Sequence, residues 1–173
     1  LRQTTARLPW LLIGMIGGIG NSMILGNFDA TFAAHPEMAL YIPLIGGTGG
    51  NVGTQSSAII VQGLANSSLD AKNTFKQVTK EAVVALINAT IISLLVYTYN
   101  FIRFGATATV TYSVSISLFA VVMFASIFGT LVPMTLEKLK IDPAIATGPF
   151  IAITNDIIGM MLYMGITCLL YTS

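Results

Sequence analysis

The chain has 173 residues, of which 54% are hydrophobic and only 9% are charged, and its mean hydropathy is +0.81. In water-soluble proteins about a quarter of the residues are charged. The eight basic and seven acidic side chains of this chain are too few to cover the surface of such a fold. We therefore predict a protein that lies in a lipid bilayer. The net charge of +1, without a dense basic cluster, argues against a nucleic-acid partner.

Five apolar segments are long enough to cross a bilayer, which requires about 20 residues in a helix. The predicted fold class is therefore all-α, a polytopic membrane protein with five transmembrane helices in one domain spanning residues 1–173. The predicted spans are Trp10–Thr31, Leu40–Leu64, Ala82–Ile102, Tyr112–Leu136 and Ala144–Tyr171. Only short polar stretches separate the later spans, which leaves no room for a second domain.

The basic residues lie mostly on one side of these spans, and only Arg103 lies on the other. The remaining seven of the eight are Arg2, Arg7, Lys72, Lys76, Lys80, Lys138 and Lys140. Because cytoplasmic loops are enriched in Lys and Arg, we predict a cytoplasmic N-terminus and an external C-terminus. Asp29 then falls in the outer loop, either near an outer mouth or as an ordinary solvated acid. Since residue 1 is a leucine, we expect a soluble portion upstream of this chain.

The second span contains an unusual run of glycines and amides between Pro43 and Ala58. Small residues recur at every fourth position and therefore share one helix face; they are Gly46, Gly50, Thr54 and Ala58. Such a face is typical of close helix packing in membranes. Packing accounts for the glycines but leaves Asn51 and Gln55 unexplained. Their amides can order water or satisfy backbone carbonyls.

The fifth span contains Asp156, the only acidic residue deep within any predicted span. It lies about 12 residues, or roughly 18 Å, from the predicted helix start at Ala144. A carboxylate near the bilayer centre costs roughly 2.5–3.5 kcal/mol, and no Lys or Arg within the spans can pair with it. Water, a proton or a bound cation must therefore compensate its charge, unless it is hydrogen-bonded to Asn51, Gln55 or a serine of another helix.

The helix face that leads to Asp156 along the fifth span is predicted to carry small side chains. The four residues predicted to form one row along that helix are Ala144, Gly148, Ala152 and Asp156. Three of them have little or no side chain, so the row leaves space beside the carboxylate. A hydrated ion or another backbone would fill that space.

Three stretches of the chain resemble the signatures of one family. They are Pro43-Leu-Ile-Gly-Gly-Thr-Gly-Gly-Asn-Val-Gly-Thr-Gln55, Ile141-Asp-Pro-Ala-Ile-Ala-Thr-Gly-Pro-Phe150 with Thr154-Asn-Asp-Ile-Ile-Gly159 and Tyr163, and Arg7-Leu-Pro-Trp10. In this order they are similar to the second, fifth and first helices of the MgtE magnesium channels. Asp29 stands where that family commonly has a glutamate.

This resemblance implies a homodimer in the lipid bilayer, with one pore on the two-fold axis lined by the second and fifth helices. It makes Asp156 the central cation site, contacting the ion largely through water, with the carbonyls of Gly50 and Ala152 beside it. Thr54 stands where the family often has Asn, and Ala58 where Thr is common. The other residues that we expect to line the pore are Asn51, Gln55, Gly148 and Asn155.

The function implied by the resemblance is a divalent-cation channel that passes hydrated Mg²⁺. The sequence leaves its selectivity over Mn²⁺, Co²⁺ and Ni²⁺ open. Cytoplasmic regulatory domains, an acidic helical domain and a CBS pair, are then expected upstream in the full-length protein. The alternative is an ion-coupled secondary transporter in which Asp156 carries a proton or a cation, although no inverted repeat supports it. An enzyme is not expected, because no second catalytic group lies at that depth.

Overall fold

The computed structural model describes residues 2–146 and 148–171, and the regular structure within them is helical throughout. The six α-helices of this part are α1 (Arg2–Gly26), α2 (Asp29–Ala34), α3 (Ile42–Ala65), α4 (Thr74–Phe104), α5 (Thr109–Lys138) and α6 (Pro149–Tyr171). Short 3-10 turns occupy Pro36–Tyr41, Ala71–Asn73 and Pro143–Ala146. The predicted all-α class is confirmed. Leu1, Thr147, Thr172 and Ser173, which belong to the predicted domain, lie outside the described residues.

Four of the described helices are long and apolar enough to cross a membrane: Leu8–Gly26 within α1, and the whole of α4, α5 and α6. The remaining long helix, α3, has 24 residues, but with its many glycines and amides it is not among these candidate spans. The polytopic membrane class is therefore supported, whereas the second predicted span stays a prediction.

Helix α5 lies at the centre of the bundle, where it packs against α3, α4 and α6. Its apolar positions Val114, Leu118, Val121 and Val122 are buried, and they belong to the main hydrophobic cluster of the fold. Helix α1 instead packs against α6, and none of its candidate span is buried. Both helices that carry the predicted site, α3 and α6, therefore pack against α5.

The start of α3 is held in place by the turn that precedes it. Tyr163 of α6 donates its hydroxyl to the carbonyl oxygen of Met38 at 2.8 Å, and Tyr41 donates its hydroxyl to Oδ1 of Asn100 in α4. All four residues are buried, and a buried polar group that loses its partner costs about 1–3 kcal/mol. These two bonds tie the entry of α3 to α4 and α6.

Two helices have ends that differ from the predicted spans. Helix α4 begins at Thr74 rather than near Ala82, so Lys76 and Lys80 lie on the helix and not in a loop. Helix α1 ends at Gly26 rather than Thr31. The ends of a helix follow its backbone hydrogen bonding, which the hydrophobic pattern alone does not report.

The predicted row of residues from Ala144 to Asp156 is wrong. Gly148 has φ +80°, a left-handed conformation that glycine adopts readily, and α6 begins only at Pro149. Proline suits a first helical position because its missing N–H would be unpaired there anyway. Asp156 therefore lies about 10 Å along the axis from the helix start, and of the row only Ala152 shares its helix.

Candidate cation site

The carboxylate of Asp156 lies against the glycine-rich part of α3. A Cβ added to Gly50 would fall 3.0 Å from Oδ1 of Asp156, and one added to Gly46 would fall 3.8 Å from the same oxygen. The carbonyl oxygen of Ala152 lies 3.9 Å from the same Gly50 position. The structure thus brings together Asp156, Gly50 and Ala152, the three residues predicted to hold the ion, because α3 has no side chains where the carboxylate approaches.

Asp156 is half-buried, and its side chain makes no hydrogen bond or ion pair with any residue in 2–146 or 148–171. In particular, Asn51, Gln55 and the serines of the other helices do not bond to it there. Among the same residues, no group of three or more His, Cys, Asp or Glu could hold a metal ion. One chain therefore offers a single carboxylate and neighbouring carbonyls, a donor set that suits an ion that keeps most of its water.

One face of α3 is polar and uncovered by the described part of the chain. Asn51, Gln55 and Ala58 are exposed, and the first two are amides one helical turn apart. Polar groups that face lipid are costly, and in membrane proteins they face water-filled cavities or other helices. This face is therefore poorly suited to lipid contact.

Thr54 points back to its own helix. Its hydroxyl donates to the carbonyl oxygen of Gly50 at 2.8 Å and lies 3.0 Å from that of Asn51. The hydroxyl thus bonds one of the carbonyls predicted to contact the ion. Thr54 thus holds the carbonyl of Gly50, the residue whose Cα side faces Asp156.

Asn155 occupies the interior of the bundle. It is 1% exposed, and neither its Nδ2 nor its Oδ1 has a hydrogen-bond partner among the described residues. A Cβ on Gly53 would collide with the Asn155 amide, and a Cβ on Gly129 of α5 would lie 2.5 Å from the carbonyl oxygen of Gly53. Three helices therefore meet around Asn155, immediately beside Asp156 in sequence.

The remaining predicted site residues lie at the edges of the bundle. Gly148 is exposed in the turn before α6. Asp29 is exposed in the first turn of α2, a helix that packs mainly against Pro36–Tyr41. Neither contacts Asp156 within the described residues.

Sequence reasoning missed a second carboxylate held between helices, Glu81 of α4. Its Oε1 accepts hydrogen bonds from the hydroxyls of Ser56 in α3 (2.7 Å) and Ser126 in α5 (2.6 Å). Both serines are buried. The predicted third span began at Ala82, which left Glu81 in a loop. The signal that could have found it was the pair of serines in apolar helices, since buried hydroxyls need partners.

The chain is similar to known transporters over most of its length. A family described as "MgtE: Divalent cation transporter" matches residues 42–166. The chain is 32% identical to the magnesium transporter MgtE of Bacillus subtilis over 160 residues, covering 92% of the chain and 35% of the relative. It is 32% identical over 165 residues to the protein of the same name from Thermus thermophilus, covering 95% of the chain and 36% of the relative.

A third protein of that name, from Enterococcus faecalis, is 28% identical over 166 residues, with 96% of the chain and 36% of the relative covered. The chain thus spans about a third of the length of the curated relatives that it matches. The matched region contains α3, α4 and α5 completely and most of α6.

Proposed function

Because this chain belongs to the MgtE family of divalent cation transporters, we propose that it forms the pore of a Mg²⁺ channel and that Asp156 is its central cation site. The family consists of membrane transporters, and the chain is a multi-pass protein of the cell membrane. The observation that carries the proposal is the unpaired carboxylate of Asp156 against the backbone of Gly50.

The ion contacts the site largely through its own water. Mg²⁺ prefers octahedral coordination at about 2.0–2.1 Å and loses its water reluctantly. A carboxylate beside backbone carbonyls supplies hydrogen-bond acceptors for that water without having to replace it. The carboxylate of Asp156 and the carbonyl of Ala152 both lie within 4 Å of one point beside Gly50, and in the proposed site the Gly50 carbonyl is the third acceptor.

A second copy of the chain completes the site. One Asp156 contributes a charge of −1, whereas two related by a two-fold axis contribute −2 and offset a divalent cation. The exposed amide face of α3 supports this arrangement, because Asn51 and Gln55 are poorly suited to lipid. In the proposed homodimer, α3 and α6 line the pore, and the face bearing Asn51, Gln55 and Ala58 contacts the water around the ion.

The other predicted site residues have supporting roles in the ion pathway. Thr54 orients the Gly50 carbonyl through its hydrogen bond, and Asn155 supports Asp156 from the interior side of α6. Gly148 lies at the inner end of the pathway and Asp29 at the outer mouth. Regulatory cytoplasmic domains precede this part in the full-length protein, in agreement with the greater length of the relatives.

Asp156→Asn tests the proposal because it keeps the size of the side chain and removes both charges of the dimer. A hydrogen bond between a carboxylate and a coordinated water contributes about 1.5–3 kcal/mol. Losing two should lower Mg²⁺ affinity and uptake roughly 100-fold or more. Uptake is measured in cells that cannot otherwise import magnesium, with Mn²⁺, Co²⁺ and Ni²⁺ as competitors.

Asp142→Asn is the matched control. Asp142 is exposed, and its Oδ1 accepts the N–H of Ala144 at 2.9 Å, a bond that asparagine retains. This variant should transport like the wild type. A folded Asp156→Asn protein with wild-type affinity and uptake would refute the assignment. Uptake that stops when the proton gradient alone is dissipated would favour the ion-coupled secondary transporter instead.

A further inference from the structure

A cavity of about 700 Å³ lies where the loop after α3 meets the first turns of α4. Ser68 and Leu69 of the loop form one side, and Lys76, Lys80 and Val83 of α4 form part of the other. We call it the α4 cavity. It lies apart from Asp156, and its chemistry points to a different ligand.

The polar side of the α4 cavity is basic. Lys76 and Lys80 are one helical turn apart and therefore project from the same face. Both are exposed, and neither forms an ion pair within the part of the chain that the structure describes. Asp70 also lines the cavity, but its Oδ1 accepts the backbone N–H of Lys72 at 2.9 Å. The three charged residues together leave a net charge of +1 facing the cavity.

The outward side of the α4 cavity is apolar. Phe75 is 86% exposed and Val83 is 56% exposed, and both line the cavity together with Leu69. Two apolar side chains this exposed, with lysines between them on the helix, form an amphiphilic surface. Such a surface matches a ligand with a charged head and an apolar body.

The length of α4 places this surface at the membrane boundary. The helix has 31 residues, or about 46 Å at 1.5 Å per residue. The hydrocarbon core is only about 30 Å thick, and about 40–45 Å with the headgroups included. The ends of α4 must therefore lie in the headgroup layers. Lys76 and Lys80 lie in the first two turns, and this holds for either orientation of the chain.

We propose that the α4 cavity binds an anionic phospholipid, with the phosphate group between Lys76 and Lys80 and an acyl chain along Phe75 and Val83. Basic residues next to a membrane-spanning helix attract anionic lipids, and the apolar wall distinguishes this site from one for a free anion. A bound lipid connects the α3–α4 loop to α4. It should therefore raise the thermal stability of the protein.

The test uses the purified full-length protein in mild detergent, titrated with phosphatidylglycerol, phosphatidylcholine or inorganic phosphate. Bound lipid is counted by native mass spectrometry, and the unfolding midpoint is recorded in parallel. Phosphatidylglycerol should bind and raise the midpoint, whereas the other two probes should not. Equal effects of phosphatidylcholine, or a full effect of inorganic phosphate, would overturn the proposal.

The double variant Lys76→Gln/Lys80→Gln should lower phosphatidylglycerol affinity about 30-fold, because each lysine near a membrane surface contributes about fivefold. Lys76→Arg/Lys80→Arg should restore binding. The matched control is Lys138→Gln/Lys140→Gln, which removes two exposed lysines that do not line the α4 cavity. If the control loses as much affinity as the first double variant, or if neither loses any, the α4 cavity is not the site.

Discussion

Oδ1 of Asp156 lies only 3.0 Å from the point where a Cβ of Gly50 would stand. No side chain other than hydrogen fits between this carboxylate and α3 without displacing it, since contacts below about 3.4 Å are unusually tight for a carbon atom. The glycine thus determines how closely the acid approaches the α3 backbone.

Gly50→Ala should lower Mg²⁺ affinity about tenfold, because the added methyl group pushes the carboxylate away from the α3 carbonyls at an overpacking cost of about 1–3 kcal/mol. Alanine also favours a helix more than glycine does, so the α3 helix itself should persist. Affinity is measured by Mg²⁺ titration of the purified protein. Gly18→Ala in α1, where a Cβ meets nothing within 4 Å, is the control and should bind Mg²⁺ normally; equal losses in the two variants would contradict the prediction.

Gly129→Ala should destabilise the bundle by about 1–3 kcal/mol. A Cβ at this position would lie 2.5 Å from the carbonyl oxygen of Gly53, and backbone atoms cannot rotate away as a flexible side chain can. The α3 and α5 helices would have to separate around the buried amide of Asn155. The measurement is the midpoint of thermal unfolding in detergent. A Gly129→Ala protein as stable as Gly18→Ala would show that α3 and α5 do not cross this closely.

Glu81→Gln should lower stability by about 2–3 kcal/mol, and Glu81→Ala by more. Two serine hydroxyls donate to one Glu81 oxygen. Bonds to a charged acceptor contribute about 1.5–3 kcal/mol, whereas bonds to a neutral one contribute about 0.5–1.5 kcal/mol. Alanine leaves the hydroxyls of Ser56 and Ser126 without this partner. Chemical unfolding measures the difference in stability. Glu137 is an exposed acid on α5, and the control variant Glu137→Gln should leave stability unchanged. An equal loss of stability in the control would argue that the hydrogen bonds of Glu81 to Ser56 and Ser126 are not the cause.

Gln55→Cys should form a disulfide between two copies of the chain in the membrane after mild oxidation. The prediction follows from the proposed homodimer, in which the exposed amide face of α3 faces the two-fold axis. Cys168, the single cysteine of the chain, is partly buried and is replaced by serine beforehand. Leu95→Cys on α4, which is 66% exposed on an apolar surface, should remain monomeric on a non-reducing gel. Crosslinking of Leu95→Cys but not of Gln55→Cys would place the interface elsewhere.

Much of this protein could be predicted because a bilayer imposes simple requirements. A chain with 9% charged residues must lie in lipid, where the backbone has to satisfy its hydrogen bonds within helices. The predicted all-α membrane class and the family resemblance are both confirmed. The grouping of Asp156 with Gly50 and Ala152 was expected from the resemblance, and the structure places these three residues together. Their role in holding an ion stays a prediction.

Other features depend on backbone conformation and helix register, which hydrophobicity does not report. The positive φ of Gly148 separates Ala144 from α6, and no apolar pattern changes at that point. Glu81 looked like the edge of a loop because α4 extends beyond its apolar stretch. Its bonds to Ser56 and Ser126 require residues far apart in sequence to meet.

Composition and short motifs suffice to predict that this protein lies in lipid, that it is helical and to which family it belongs, because they act locally and are independent of how helices cross. The neighbour of each polar group, in contrast, depends on the packing of the helices. It places the amide of Asn155 inside the bundle and the carboxylate of Asp156, one residue later, against Gly50. Successive positions on a helix differ by about 100° in direction, so the rotation of α6 against α3 and α5 separates the two roles.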